Sequence, residues 1–280
     1  MKRAICALIL LLASRPALAE TSPAQFAGEM IARLKAAHPE SIFANEGALP
    51  LQVTVKGGGH DGAQIMLYRI YDYCRNVPAE SCEASKADFV AKVLAPLPEA
   101  RRENLRVIVR GADYYDAAQQ QGSKEKRQPW FFARKIGDDL YEILALDSPT
   151  QIALANSADL KRMRLRPEAA WSLARTQTWQ ATPPLPDPAS LLAEAAVFEG
   201  KEYVGSMLAD TQGWQAVREA IGPDLFVTVT SDQFVMVSLM AEGPGLDRFA
   251  EAVAADCRGA ERCISPHVYR FEQGMWVIEK

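Results

Sequence analysis

The chain has 280 residues, of which 49% are hydrophobic and 24% are charged, with 17 glycines and 17 prolines. These values are ordinary for a globular protein and exclude a collagen-like, low-complexity or coiled-coil chain. The formal net charge of −4 also means that the protein as a whole does not attract nucleic acid or anionic lipid.

The first twenty residues have the pattern of an export signal. A basic start, Met1-Lys2-Arg3, is followed by an apolar run at 4–13 and by Ala17-Leu18-Ala19 before Glu20. The apolar run is shorter than the roughly 20 residues that span a bilayer. We predict a signal peptide at residues 1–19, cleavage after Ala19, no membrane span in the mature chain, and a periplasmic or secreted location. The cleavage removes three of the 31 basic side chains and none of the 35 acidic ones, so the net charge falls from −4 to −7.

Four cysteines remain once the signal peptide, with Cys6, is removed. They are Cys74, Cys82, Cys257 and Cys263. An even number of cysteines in an exported chain favours disulfides, and three connectivities are possible. We predict the two local pairs, Cys74–Cys82 and Cys257–Cys263, because each closes a short loop after a predicted helix. The chain-entropy model gives each about 2.5 kcal/mol. Neither pair has Cys-x-x-Cys spacing, which disfavours a metal site.

The first half of the mature chain alternates between helical and strand patterns. Apolar residues recur at helical spacing from Phe26 to Ala37, and they alternate with polar residues along a strand at 51–56. The remaining predicted elements here are a helix at 63–74, a helix from Ser85 that ends at Pro96, a strand at 105–110, a charged loop at 117–129, a hairpin joining 130–136 to 140–146, and a helix from Pro167 toward Trp179.

A proline-rich segment at 182–188 is the best candidate for a domain boundary, because four prolines in six residues make a stiff connector. We predict an N-terminal region at 20–180, a connector at 181–189 and a C-terminal region at 190–280. The alternative is one compact domain over 20–280.

The last quarter of the chain predicts a β-β-α-β-β unit. Two strands flank Asp232, an amphipathic helix runs from Leu246 to Cys257, and two strands flank Gly274. The order of strands and helices predicts an α+β fold, with mostly antiparallel sheet and helices packed on one face.

The segment Gly57–Gly62 matches the dinucleotide motif G-x-G-x-x-G between a predicted strand and a predicted helix. The preceding strand alternates instead of being buried on both faces, and no second parallel strand follows. We therefore interpret the segment as a flexible strand-to-helix turn and predict no cofactor.

Catalytic motifs are weak throughout the sequence. Asp113 and Asp116 follow a strand and Asp147 ends another, so these carboxylates are candidates for general acid–base chemistry. Capping of turns by aspartate is the more common role.

The order of several short segments resembles the DUF1444 family, also called the YtpQ family, over most of residues 45–280. The segments are Leu67-Tyr68 with Tyr71 and Tyr73, the strand Val107–Arg110 before Asp113-Tyr114-Tyr115, Asp139–Glu142, Pro167–Trp171, Ser206–Leu208 before Trp214, and Phe226–Thr230 before Asp232. The resemblance implies a single architecture over this range and no known activity.

Two functions follow as hypotheses. The first is a non-catalytic protein that binds an unknown component of the cell envelope, with Tyr114, Tyr115, Trp130 and Phe131 as candidate contacts if exposed. The second is an envelope hydrolase that uses Asp113, Asp116 and Asp147. Co-location of the three carboxylates in one cleft would favour the hydrolase.

Export predicts a mature N-terminus at Glu20. Intact-mass and N-terminal peptide analysis of protein recovered from the envelope or the medium should give a chain that starts there. A chain that retains Met1 would contradict the export prediction.

Overall fold

The computed structural model describes residues 21–45, 50–58, 64–95, 99–121, 130–148, 152–200, 203–260 and 263–280. The predicted signal peptide, residues 59–62 of the glycine-rich segment and residues 122–129 of the predicted charged loop lie outside these ranges.

Nine α-helices and twelve strands occur in the described ranges. The helices are α1 (Pro23–Ala37), α2 (Tyr68–Asn76), α3 (Ala79–Val93), α4 (Ala112–Gln121), α5 (Ser157–Arg162), α6 (Pro167–Ala181), α7 (Pro188–Leu191), α8 (Thr211–Ile221) and α9 (Pro244–Gly259). The strands are β1 (Ile42–Ala44), β2 (Gln52–Lys56), β3 (Gln64–Met66), β4 (Leu105–Gly111), β5 (Ala133–Lys135), β6 (Leu140–Asp147), β7 (Ile152–Leu154), β8 (Ala196–Glu199), β9 (Leu225–Ser231), β10 (Phe234–Leu239), β11 (Val268–Glu272) and β12 (Met275–Ile278).

The strands form three antiparallel sheets, which confirms the predicted α+β class. The first sheet has the order β1-β2-β3, and the last has the order β12-β11-β9-β10-β8. In the middle sheet β6 pairs with β4 on one side and with β5 and β7 on the other. The predicted C-terminal β-β-α-β-β unit is present as β9, β10, α9, β11 and β12.

The helix expected from Ser85 begins earlier, at Ala79, and two other predicted elements also differ in the structure. The helix expected over 63–74 begins only at Tyr68, because Gln64–Met66 pairs with β2 as a third strand. The glycine-rich segment therefore joins two antiparallel strands and not a strand to a helix. The second difference is at residues 117–121, which continue α4 where a loop was expected.

The N-terminal elements enclose a core of their own. Helix α1 packs on the first sheet and α3 packs on α1 and α2, and Met30, Leu34, Val53 and Val55 are fully buried in this core. The strand β2 alternates buried and half-buried positions, as its sequence predicts. The N-terminal part of the chain, residues 21–95, is therefore a small helix-on-sheet unit.

A larger core runs through the rest of the chain. It joins the middle sheet, α6, α8 and the last sheet, with Val107, Trp171, Trp214 and Val227 among its members. Leu191, just beyond the proline-rich segment, is part of the same core. Hydrophobic packing thus continues across 181–189. The core of residues 21–95 is separate from it, and the alternative of one compact domain over 20–280 stays a prediction.

An ionic network joins α1 to α3 across the small unit. The buried ammonium of Lys86 donates to Glu29 and to Glu83, each at 2.9 Å, and Arg33 bonds both carboxylates. Burial raises the pKa of Glu29, but the hydrogen bonds from Lys86 and Arg33 outweigh it and leave the pKa below its ordinary value. The same two cations lower the pKa of Glu83.

Replacing Lys86 by Met should lower the free energy of unfolding by about 1–2 kcal/mol at pH 7, because two carboxylates lose the more deeply buried of the two cations that they share. Lowered carboxyl pKa values contribute stability above the unfolded pKa, and this contribution disappears as the pH falls through the folded value. The difference in unfolding free energy between the wild type and Lys86→Met should therefore shrink from pH 7 to pH 3, as measured by urea denaturation.

Lys92→Met is the matched control, since Lys92 pairs with Asp88 on the exposed surface of the same helix. Lys92→Met should change the free energy of unfolding by less than about 0.5 kcal/mol. An equal loss for both variants, or a Lys86 deficit that does not change with pH, would contradict the role assigned to the network.

Candidate functional site

A cleft of about 1600 Å³ lies between the N-terminal unit and the remainder of the chain. One wall is α2, with Arg69, Asp72 and Tyr73. The opposite side is formed by the start of α4, by β7 and α5, and by the segment from the end of α9 to His267. We refer to this space as the cleft.

A polar network lies on the cleft floor, where the middle and last sheets meet. The Tyr269 hydroxyl donates to Asp139 Oδ1 at 2.6 Å, and the Ser265 hydroxyl donates to Asp139 Oδ2 at 3.3 Å. Burial, reinforced by the charge of Asp139, raises the pKa of the Tyr269 phenol, so this hydroxyl stays a donor. The network holds the Asp139 carboxylate in one orientation at the cleft.

His267 reaches the same carboxylate from the cleft side. Its Nε2 atom is 3.8 Å from Asp139 Oδ2, while its Nδ1 atom is 3.2 Å from the carbonyl oxygen of Lys280. An imidazole whose Nδ1–H donates to that carbonyl presents its Nε2 to the carboxylate and the cleft.

Ser265, His267 and Asp139 have the three residue types of the catalytic triad found in serine hydrolases. Their spatial arrangement differs from that of a triad. A triad places the histidine between the hydroxyl and the carboxylate. Here the Ser265 hydroxyl bonds the carboxylate directly and accepts the backbone N–H of His267 at 3.1 Å. Ser265 is also only 1% exposed, so its hydroxyl is not presented to a substrate.

The three carboxylates predicted as a catalytic set do not all lie on the cleft. Asp113 lines it from the first turn of α4, and Asp116 is exposed one turn further along the same helix. Asp147 ends β6 at the opposite end of the strand pair, roughly 25 Å from Asp139 by strand geometry. Asp139 lies near the same end of the β4–β6 strand pair as Asp113, because Gly111 pairs with Leu140.

The four predicted contact aromatics divide into two pairs. Tyr114 and Trp130 line the cleft. Tyr115 stacks on Tyr141 at 4.1 Å between ring centroids, and Phe131 is only 3% exposed. Tyr115 and Phe131 therefore belong to the packed face of the middle sheet and are not surface contacts.

Both predicted disulfides are confirmed as local pairs, and both lie beside the cleft. Cys74 and Cys82 are 4.8 Å apart between Cα atoms and tie α2 to α3. Cys257 and Cys263 are 5.2 Å apart between Cα atoms and line the cleft at the end of α9.

The sequence did not single out Asp139 or Tyr269 as part of a site. Asp139 has the signature of a hairpin tip, and Tyr269 that of a strand aromatic. His267 follows a proline and precedes a strand, and it too carries no local signal of a site. Only the pairing of distant strands brings the three together.

Metal and nucleotide sites have little support in the described ranges. Within them no group of three His, Cys, Asp or Glu side chains has the arrangement of a metal site. The glycine-rich segment leads into the antiparallel strand β3, whereas a phosphate-binding turn leads into a helix. Among the helices of the described ranges, none is long and apolar enough to cross a membrane.

Comparison with known proteins gave no assignment. No family model, no curated protein and no solved structure matches the chain. The resemblance to the DUF1444 family stays a prediction from the order of its segments.

Gly137 should be essential to the position of the Asp139 turn. A Cβ atom at Gly137 would lie 2.7 Å from the backbone oxygen of the fully buried Trp276. Gly137→Ala should therefore destabilise the fold by about 1–3 kcal/mol, as measured by denaturant unfolding.

Gly28→Ala is the matched control, because a Cβ atom there meets nothing within 4 Å on the exposed side of α1. That change should stabilise the fold by about 0.5–1 kcal/mol. If Gly137→Ala is also neutral or stabilising, the close approach of β12 to the turn does not constrain the site.

Proposed function

We propose that the chain is an exported, non-catalytic binding protein of the cell envelope whose ligand occupies the cleft. The observation that carries the proposal is the cleft itself, about 1600 Å³ between two separately packed cores. Ligand sites occur preferentially at such junctions.

The lining of the cleft supports binding. Apolar side chains such as Met66, Leu154 and Ile264 alternate around it with Arg69, Asp72, Asp113 and Arg258. Apolar area provides affinity, and a few charged groups fix the orientation of a ligand. The one hydroxyl in the floor network that resembles a nucleophile, Ser265, is buried and bonded to Asp139.

The predicted export signal and the two disulfides both support a location outside the cytosol. Disulfides persist in oxidising compartments, and the two local pairs are placed where they brace opposite sides of the cleft. A cytosolic protein would gain nothing from this arrangement, because its thiols would be kept reduced.

A carboxylate-dependent hydrolase is the second candidate, and one observation favours it. Asp113 and Asp139 both line the cleft and flank the paired residues Gly111 and Leu140. Two carboxylates on one cleft can act as acid and base. Asp139, however, already accepts hydrogen bonds from Tyr269 and Ser265, so both of its carboxylate oxygens are engaged by protein donors.

Site-specific photocrosslinking in intact cells tests the binding function. A benzoylphenylalanine at Tyr73, on the α2 wall, should give a discrete crosslinked adduct with an envelope component. The same probe at Leu192, which is 68% exposed and does not line the cleft, should not.

Equal adducts from both positions, or none from Tyr73, would contradict a ligand in the cleft. Cleavage of an envelope polymer by the purified protein, abolished in Asp113→Asn, would replace the binding function by the hydrolase.

A further inference from the structure

The strand β7 borders the cleft with its edge and not with a face. Its three consecutive residues, Ile152, Ala153 and Leu154, all line the cleft. A strand that presents a face contributes only every second residue, because successive side chains point to opposite sides. In the part of the chain that the structure describes, β7 pairs with β6 alone.

The hydrogen-bond pattern shows which backbone groups point outward. Ala155 donates its N–H to the carbonyl of Leu144 at 2.9 Å, which turns Ala155 toward β6. Inward and outward residues alternate in an antiparallel ladder, so Ala153 also faces β6. The N–H and C=O groups of Ile152 and Leu154 therefore point away from β6, and no partner for them occurs within the described residues.

We propose that the cleft takes an extended polypeptide segment of another exported protein, which adds as a new strand along the outer edge of β7. The proposal rests on the binding function and names its ligand class. A row of outward N–H and C=O groups is complemented in register by another extended backbone, which is the basis of recognition by strand addition.

The size and charge of the cleft fit this ligand. Sites for small molecules have volumes of about 300–1,000 Å³, and this cleft is larger. Its walls carry both signs of charge, with Asp72 on α2, Asp113 on α4 and Arg258 on α9. None of these three has an ion-pair partner among the described side chains, so each is available to a peptide side chain of opposite charge.

A glycan fits the cleft less well. Sugars are bound largely by stacking on open aromatic faces. The Tyr114 ring is approached by the guanidinium groups of Arg69 and Arg110, at 5.3 and 5.5 Å from its centroid. Trp130 donates its indole N–H to the carbonyl of Ala118 and packs edge-on against Phe131. Tyr114 and Trp130, two of the four tyrosine and tryptophan side chains that line the cleft, are thus already engaged by the protein.

Peptide binding to the mature chain tests the proposal. A dodecapeptide selected from a random display library is synthesised with a fluorescent label, and its affinity is measured by anisotropy. Ile152→Pro should weaken binding at least tenfold, since proline removes one outward N–H at the first residue of the strand, where it is tolerated. Ile152→Ala keeps that N–H, and the side chain it shortens is 39% exposed, so its effect should stay within about threefold.

Amide hydrogen exchange in the unmodified protein provides a second measurement that does not depend on a variant's folding. Saturation with the peptide should slow exchange at Ile152 and Leu154 at least tenfold. Exchange at Val197, in the strand β8 at the edge of the last sheet, should not change.

The outcomes separate this proposal from the binding function. A selected peptide that binds wild type and Ile152→Pro equally, without protection of Ile152 and Leu154, overturns strand addition. If the protein binds chitohexaose and no peptide, and the Tyr73 crosslink is retained, the peptide ligand is ruled out and the binding function stands. The absence of both a peptide and a crosslink overturns both.

Discussion

The structure around the cleft depends on the junction between the last strand and the turn that joins β5 to β6. Trp276, in β12, is fully buried and donates its backbone N–H to Ile136 at 2.9 Å, while its carbonyl accepts from Asp138 at 2.8 Å. Its indole N–H donates to Leu208 at 2.9 Å, and its ring packs edge-on against Trp214. One residue thus joins the last sheet, the middle sheet and the segment before α8. The backbone contact requires a glycine at position 137, where any side chain would meet Trp276.

The floor of the cleft is a consequence of this junction. Asp138 accepts the backbone N–H of Ile278 at 2.9 Å, and the next residue, Asp139, then faces Ser265 and Tyr269. The turn is held from two sides, by β12 and by the segment before β11. A buried polar group is costly unless it is bonded, and here each hydroxyl has the carboxylate as its partner. The same bonds that stabilise the junction therefore determine which polar atoms the cleft presents.

Features set by local pattern could be predicted from the sequence, and features set by distant pairing could not. The strand segments on both sides of Asp232 and the helical stripe from Leu246 to Cys257 predicted β9, β10 and α9, and the short loops between the cysteines predicted the disulfides. The strand β3 was missed because three residues are too few to show alternation, and pairing with β2 determines their conformation. Asp139 was missed for a related reason. Its partners Ser265 and Tyr269 lie 126 and 130 positions further along the chain, and no local signal links them.

The two disulfides hold opposite walls of the cleft in place. Cys74–Cys82 fixes the end of α2 to the start of α3, so one wall is tied into the N-terminal unit. Cys257–Cys263 fixes the end of α9 to the segment that carries Ile264 and His267 on the other wall. A binding surface that is already ordered loses less conformational entropy when a ligand arrives, and an extended ligand brings a large entropy cost of its own. For the proposed extended ligand, braced walls therefore leave most of the conformational entropy cost of binding to the ligand itself.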